Sequence, residues 1–347
     1  LCFPEDEGSH PDFRTEWWYI TGWLQRATAA DASAVAREVG FQVTFFRTRL
    51  EIDERNPSAF TPRQIVIAHA AISDGAQGHL LHDQKVARAV LGLANAEQGR
   101  TNVWIGDWSL MQQADSSVAR ISSGEFALDL RFKQTQPPLL QGDNGFSRKG
   151  PREESASYYY SFPHLQVTGS MDERSVTSTV TGTAWLDHEW SSSYMDERAS
   201  GWDWVGVNLD DGGALMAFRM RDANGAKFWA ACTYRAPDGT HRTFGSNEVD
   251  FVPLRTWRSP RNGAVYPVAC RIDVPGMHLS IEPLMDDQEQ DTRLSVGTVY
   301  WEGAVIALRE GKPAGRGYLE LTGYSRALKG LTGEKSNVRT APAPDRK

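Results

Sequence analysis

The sequence predicts an all-β protein built as two sandwiches or barrels. Three observations carry this expectation: apolar residues recur with period two, turn signals punctuate them at short intervals, and helical periods are scarce. In chain order, Val39, Phe41, Val43 and Phe45 alternate with Gly40, Gln42, Thr44 and Phe46, the pattern of a half-buried strand. Between Gln84 and Gln98, Val86, Val90, Leu91 and Leu93 with several alanines predict one short amphipathic helix. Phe126, Leu128, Leu130 and Phe132 alternate with Ala127, Asp129 and Arg131 as a second strand. A polar, Gly/Pro-rich stretch from Pro137 to Ser157 follows; connections this long are uncommon in compact domains and are often functional. Trp202, Trp204 and Gly206 share one face of a strand that runs into the turn Asp210-Asp211-Gly212-Gly213, after which Leu215, Ala217 and Arg219 alternate with Met216, Phe218 and Met220. Pro237-Asp238-Gly239 and Glu310-Gly311-Lys312-Pro313 mark further hairpins. The polar, basic tail from Gly330 to Lys347 is expected to be poorly ordered or draped over the surface.

Composition narrows function. The 347 residues, of which 40% are hydrophobic, can bury a sizeable core and exceed what one core usually supports, so two domains are expected. No stretch approaches the roughly 20 apolar residues of a membrane-spanning helix. A net charge of −7 without a basic tract argues against nucleic acid as a partner. Cys2, Cys232 and Cys270 lack the paired spacing of a structural zinc site and are read as buried thiols, with one disulfide at most. The start at Leu1 suggests a processed form, and Leu1-Cys2 is too little sequence to support a lipid anchor. There is no G-x-S-x-G elbow around Ser191-Ser192-Ser193, and no glycine-rich phosphate loop. Serine-hydrolase chemistry and nucleotide use are therefore without a motif.

Aromatic and ionisable residues concentrate in four segments: His10 to Trp23, Tyr158 to His164, Trp185 to Trp190, and Trp202 to Trp204. Neighbours on a strand point to opposite faces, so Trp17-Trp18 and Tyr158-Tyr159-Tyr160 cannot all fill one core. They either pack two domains together or line a cavity. Asp187 and Glu189 share a strand face and His188 opposes them, which leaves no convincing metal set. Glu16 beside Trp17-Trp18 and Asp203 between Trp202 and Trp204 are candidate desolvated carboxyls, held protonated and able to act as general acids. Otherwise they pair with Arg14, Arg219 or Arg221. Facing an alkene, such an acid could protonate one carbon while indole faces stabilise the carbocation.

Longer motifs carry a resemblance. Phe3-Pro4-Glu5-Asp6, His10-Pro11-Asp12-Phe13-Arg14-Thr15-Glu16-Trp17-Trp18-Tyr19, Ser157-Tyr158-Tyr159-Tyr160-Ser161, Thr183-Ala184-Trp185-Leu186-Asp187-His188-Glu189-Trp190 and Gly317-Tyr318-Leu319-Glu320-Leu321-Thr322-Gly323-Tyr324 resemble the AttH-like family, up to about Tyr324. That family is related to carotenoid 1,2-hydratases, or hydroxyneurosporene synthases, and its members are often labelled predicted secreted hydrolases. The resemblance implies two lipocalin-like, calycin-type antiparallel β-barrels, expected at 1–184 and 185–347 with the tail from about 330. It also implies an apolar cavity or inter-domain cleft. Asp187, His188 and Trp190 fall on the hydratases' D-H-x-W segment, with His188 supporting acid/base chemistry and Trp190 facing a cation. The chain departs from them at Glu189, where hydratases tend to have Asn, and at Ala217-Phe218-Arg219-Met220, where their downstream aspartate has no counterpart.

The expectation is an enzyme that works on a hydrophobic isoprenoid, carotenoid-like or polyene molecule without a cofactor, by acid-catalysed hydration of a C=C bond. Glu16, His188 and Asp203 are the candidate catalytic residues; Trp17, Trp18, Tyr19, Tyr159, Asp187, Glu189, Trp190, Trp202, Trp204 and Arg219 are the candidate binding residues; no metal is expected. The alternatives are a lipocalin-type carrier of an apolar ligand, a pericyclase as in a fungal branch of similar fold, and a hydrolase. A periplasmic or secreted location, with peripheral membrane contact, is suggested by the signal peptides of relatives.

Overall fold

A computed structural model of the chain describes residues 1–27, 37–51, 58, 61–174 and 176–327. The tail from Gly330 lies outside the described residues. The first sheet comprises β1 (Thr15–Arg26), β2 (Glu38–Arg49), β3 (Gln64–Ser73), β4 (Leu81–Arg88), β5 (Ala94–Ala96), β6 (Asn102–Ile105), β7 (Trp108–Gln113), β8 (Ser116–Ser122), β9 (Phe126–Lys133), β10 (Leu139–Leu140), β11 (Phe146–Arg148), β12 (Ala156–Glu173) and β13 (Val176–Ser191). The second comprises β14 (Gly201–Leu209), β15 (Ala214–Arg221), β16 (Lys227–Arg235), β17 (His241–Phe244), β18 (Asp250–Arg258), β19 (Val265–Val274), β20 (Met277–Pro283), β21 (Glu289–Asp291), β22 (Val299–Arg309) and β23 (Lys312–Leu321).

Both sheets are antiparallel. The first runs β4-β3-β2-β1-β13-β12-β9-β8-β7-β6-β5, with β10 and β11 on β12, and curls until β5 and β6 pack on β3. The second runs β17-β16-β15-β14-β23-β22-β20-β19-β18, with β21 on β22. The chain is thus all-β, as the alternating patterns predict, and lipocalin-like, as the family resemblance implies.

One expectation fails. Residues 84–98 hold the end of β4 and the whole of β5 instead of a helix. Val86, Leu91 and Leu93 are exposed, so there is no buried stripe for a helix to present. The register of β4 on β3, with Val86 opposite Ile67, prevails over a marginal helical period. All three cysteines are free thiols, and Cys232 and Cys270 are buried.

Each sheet buries two faces. Trp18, Ile20, Leu24, Leu186 and Trp190 point into the interior of the first, and Val205, Val207, Trp301, Leu319 and Leu321 into that of the second. The opposite faces of β1, β13, β14, β22 and β23 meet in a third core around Trp23, Trp185, Met216, Ala304 and Tyr318. Gly40 permits this approach, since a Cβ there would sit 2.4 Å from the Ala304 Cβ. Polar ties cross the seam: Trp23 Nε1 donates to the Gly317 carbonyl (3.1 Å), Asn208 Nδ2 to the Ala184 carbonyl (3.1 Å), and the His164 N–H to Asn208 Oδ1 (2.9 Å).

Candidate functional site

The alternation of each strand sorts the predicted residues into three separate places. On β1 and β13, Glu16, Trp18, His188 and Trp190 face the first barrel's interior, with Glu16 and its partner Arg47 also bordering the seam cavity, while Trp17, Tyr19, Asp187 and Glu189 face the seam. On β14 and β15, Trp202 and Trp204 face the seam, whereas Asp203 and Arg219 point into the second interior.

The first interior is closed. Residues 1–14 fold over it, with Phe3 against Tyr160 and with Trp18 Nε1 donating to the Glu7 carbonyl. Glu16, which is wholly buried, accepts from Arg47 Nε at 2.7 Å and from the His10 N–H. His10 Nδ1 and His188 Nε2 lie 2.8 and 2.9 Å from its Oε1. Rings complete the cluster: His10 stacks on Trp190 at 3.7 Å, and Trp18 on His188 at 4.7 Å. Burial alone would raise the Glu16 pKa, but the hydrogen bonds from His10 and His188 and the charges of His188 and Arg47 overcome it and hold the group at about 2. Burial pushes the His188 pKa down. The expectation of a protonated Glu16 is therefore corrected: it is an enclosed carboxylate paired with Arg47, not Arg14. His10, Glu16 and His188 also lie close enough to share a metal ion, but the Arg47 guanidinium already supplies positive charge to that carboxylate.

Asp203 is likewise engaged. Arg219 Nε donates to it at 2.5 Å, Arg221 Nε at 3.0 Å, and the Tyr324 hydroxyl at 3.0 Å. It is the arginine-paired residue of the two readings the sequence left open, and it faces away from the seam.

The seam holds a cavity of about 170 Å³. Trp17, Tyr19, Tyr194, Trp202, Trp204, Phe218 and Met220 supply its apolar wall, and β2, β3 and the loop before β22 supply Phe46, Ile67 and Val296. Gly206 makes room for Trp204, since a Cβ there would lie 2.6 Å from the indole. Trp204 Nε1 donates to the Tyr159 hydroxyl at 3.0 Å, and that hydroxyl donates to Asp187 Oδ2 at 2.5 Å. Ser161 (2.5 Å) and Trp185 Nε1 (2.6 Å) both donate to Asp187 Oδ1. Burial, partly offset by these donors, brings the Asp187 carboxyl up to about 7. Beside it, Lys149 Nζ meets Glu189 Oε1 at 3.0 Å, and the Ser157 hydroxyl donates to the same carboxylate. The Pro137 to Ser157 connection, singled out by its composition, is what delivers Lys149.

Among the lining residues not anticipated, four form a polar group on one wall. Glu302 on β22 and Glu320 on β23 are directly opposite one another and aim into the cavity, with Tyr300 and His69 nearby. Burial raises both carboxyls, helped for Glu302 by the charge of Glu320 and for Glu320 by those of Asp187, Glu189 and Asp203. Trp202 Nε1 donates to Glu320 Oε2 at 2.9 Å, whereas Glu302 Oε1 and the Tyr19 hydroxyl have no well-aligned hydrogen-bond partner. His69 Nδ1 lies 2.9 Å from the Tyr300 hydroxyl, and burial holds its imidazole neutral, with a pKa of about 3. The glutamates are 18 residues apart, and only strand register brings them together. The motif around Glu320 was a signal; Glu302 had none.

The chain is therefore a lipocalin-like β protein whose polar-aromatic cavity lies between its two sheets. It belongs to the AttH-like family, whose model matches residues 1–324. A Nitrosomonas europaea protein designated AttH is 52% identical, with a TM-score of 0.87 over 94% of this chain and 97% of that one. Kievitone hydratase of Nectria haematococca is 13% identical (TM-score 0.69, 94% and 93% covered), and CghA is 11% identical (TM-score 0.52, 89% and 88%). These two share the fold. Among curated proteins none matches the chain. No helix among the described residues is long and apolar enough to cross a membrane.

Proposed function

We propose that the chain is an enzyme that hydrates a C=C bond of a small hydrophobic molecule, or of the end of a longer one, inside the inter-sheet cavity. The observation that carries this reading is the set of buried carboxyls with raised pKa on two walls of one aromatic pocket: Glu302 and Glu320 on one, Asp187 on the other. A carboxyl kept protonated near neutrality is a general acid, and one poised near 7 can accept a proton as readily. In this mechanism the Glu302 O–H proton passes to one alkene carbon, whose π pair forms the new C–H bond. The adjacent carbon becomes a cation facing the indoles of Trp17, Trp202 and Trp204. Water adds its oxygen to that carbon and loses a proton to Asp187, and solvent exchange returns Glu302 to its acid form. Kievitone hydratase and CghA have this fold, which makes hydration the leading reading and leaves a pericyclic reaction as the second.

The volume limits the substrate. An engineered cavity of about 150 Å³ is known to hold benzene, so this one takes a ring or one to two isoprene units, not a whole carotenoid. The test is incubation with isoprenoid and styrenyl alkenes in ¹⁸O-labelled water. The expected product carries one labelled hydroxyl, and Glu302→Gln lowers its formation by about 10²-fold or more. Turnover that is undiminished in Glu302→Gln and in Asp187→Asn refutes the assignment of roles. Rearranged product without label moves the reading to a pericyclase.

A further inference from the structure

Glu302 and Glu320 face one another across adjacent strands, an arrangement of like charges that a sheet ordinarily disfavours. No Lys or Arg pairs with either of them among the described residues. The groups around them are Trp17 and Tyr19 from β1, Gln42 and Thr44 from β2, His69 from β3, Asp187 and Glu189 from β13, Trp202 from β14, Phe218 and Met220 from β15, and Tyr300 from β22; Asp187 is held by Tyr159, Ser161 and Trp185. The charged groups elsewhere on the lining are already engaged, Lys149 with Glu189 and Arg47 with Glu16. Glu302 Oε1, the Tyr19 hydroxyl and Gln42 Oε1 have no well-aligned hydrogen-bond partner, and the Tyr19 and Tyr300 hydroxyls are the nearest donors. A poorly met acceptor this deep costs up to about 1–3 kcal/mol, so the cavity favours a ligand that donates hydrogen bonds to it.

We propose that the cavity binds a small apolar amine in its protonated form, the ammonium seated between Glu302 and Glu320 and its hydrocarbon part against Trp17, Trp202 and Trp204. An ammonium offers up to three N–H donors, whereas an alcohol offers one. It balances the charge of one of the facing carboxyls, while the other keeps its proton, and it is attracted by indole faces. Binding displaces the one proton that otherwise holds that glutamate neutral. The inference stands on the cavity walls alone and goes beyond the hydration reading, because a cavity that catalyses nothing would bind the amine equally well.

The experiment is isothermal titration of the full chain with benzylamine and with benzyl alcohol, from about pH 6 to about pH 8, in two buffers of different ionisation enthalpy. The expected result is at least a tenfold preference for benzylamine at the upper pH, declining toward the lower, with net proton release on binding. Glu302→Gln and Glu320→Gln are expected to erase most of that preference and to leave benzyl alcohol affinity within about twofold, which shows the pocket intact. Equal affinity for the two compounds, or an amine preference that is independent of pH and of both substitutions, overturns the proposal. If ordered water alone fills the pocket, the alcohol and the amine compete equally, which is also a refutation. Labelled-water hydration is measured separately, so its failure leaves this result untouched.

Discussion

Replacing Glu16 by Gln tests whether the cluster beneath the N-terminal segment is a structural tie. The side chain keeps its size but loses its charge, so Arg47, wholly buried, faces an amide and the two histidines lose their shared acceptor. Folding holds the Glu16 carboxyl at about 2 instead of its ordinary 4.5, which corresponds to about 3 kcal/mol of stability. Removing one partner of a buried pair independently predicts a loss of about 3–5 kcal/mol. The sign with pH follows: a depressed carboxyl stabilises the fold fully above its unfolded pKa and loses that contribution as pH falls toward 2. Urea unfolding at pH 7 is therefore expected to show the variant about 3 kcal/mol less stable, and the gap is expected to narrow steadily below about pH 4.5. A gap under about 1 kcal/mol at neutrality, or one that does not change with pH, refutes the argument.

Further predictions concern the other buried charges and the seam. Asp203→Asn strands Arg219 and Arg221 and is expected to cost about 3–5 kcal/mol in the same unfolding assay. Lys149→Met leaves the Glu189 carboxylate without its cation, and the expected loss is about 3 kcal/mol at pH 7 in the same assay. Gly40→Ala forces a methyl against Ala304 and should cost about 1–3 kcal/mol, measured by thermal unfolding. Gly206→Ala pushes the Trp204 indole off Tyr159, and the change should be seen as a shift in tryptophan emission and a loss of benzylamine affinity with stability largely kept.

Much of the fold was legible because a strand's two faces can be read from alternation. Asp187 and Glu189 on one side with His188 on the other, and Trp202, Trp204 and Gly206 together, follow from period two alone. The requirement that Trp17 and Trp18 serve different environments follows from it too. What alternation cannot supply is which strands become neighbours. Glu302 looked like an ordinary charged residue until β22 and β23 paired in a register that sets it against Glu320. Lys149 reaches the cavity from a connection whose path no periodicity records. Glu16 and Asp203 were identified as buried, but whether a buried carboxyl is protonated depends on cations brought from elsewhere. Arg47 comes from another strand, as do Arg219 and Arg221. The 84–98 helix failed for the converse reason: its apolar residues fit a weak local period while their strand partner lay outside the window.

The double-sided burial of β1 and β13 separates two inventories along the same stretch of chain. Even positions of β1 hold the barrel and its N-terminal cover, while odd positions furnish the cavity, and β13, paired even to even and odd to odd with β1, divides its positions in the same phase. Substitutions at Trp17, Tyr19, Asp187 or Glu189 can therefore retune what the cavity accepts without touching Glu16, Trp18, His188 or Trp190. The same partition leaves no room for insertions. A single added residue in either strand would exchange the two sets, turning the ion cluster toward the ligand and the ligand carboxylates into the hydrocarbon core. Descendants of this chain are thus free to change specificity by point substitution, but must keep the lengths of these two strands.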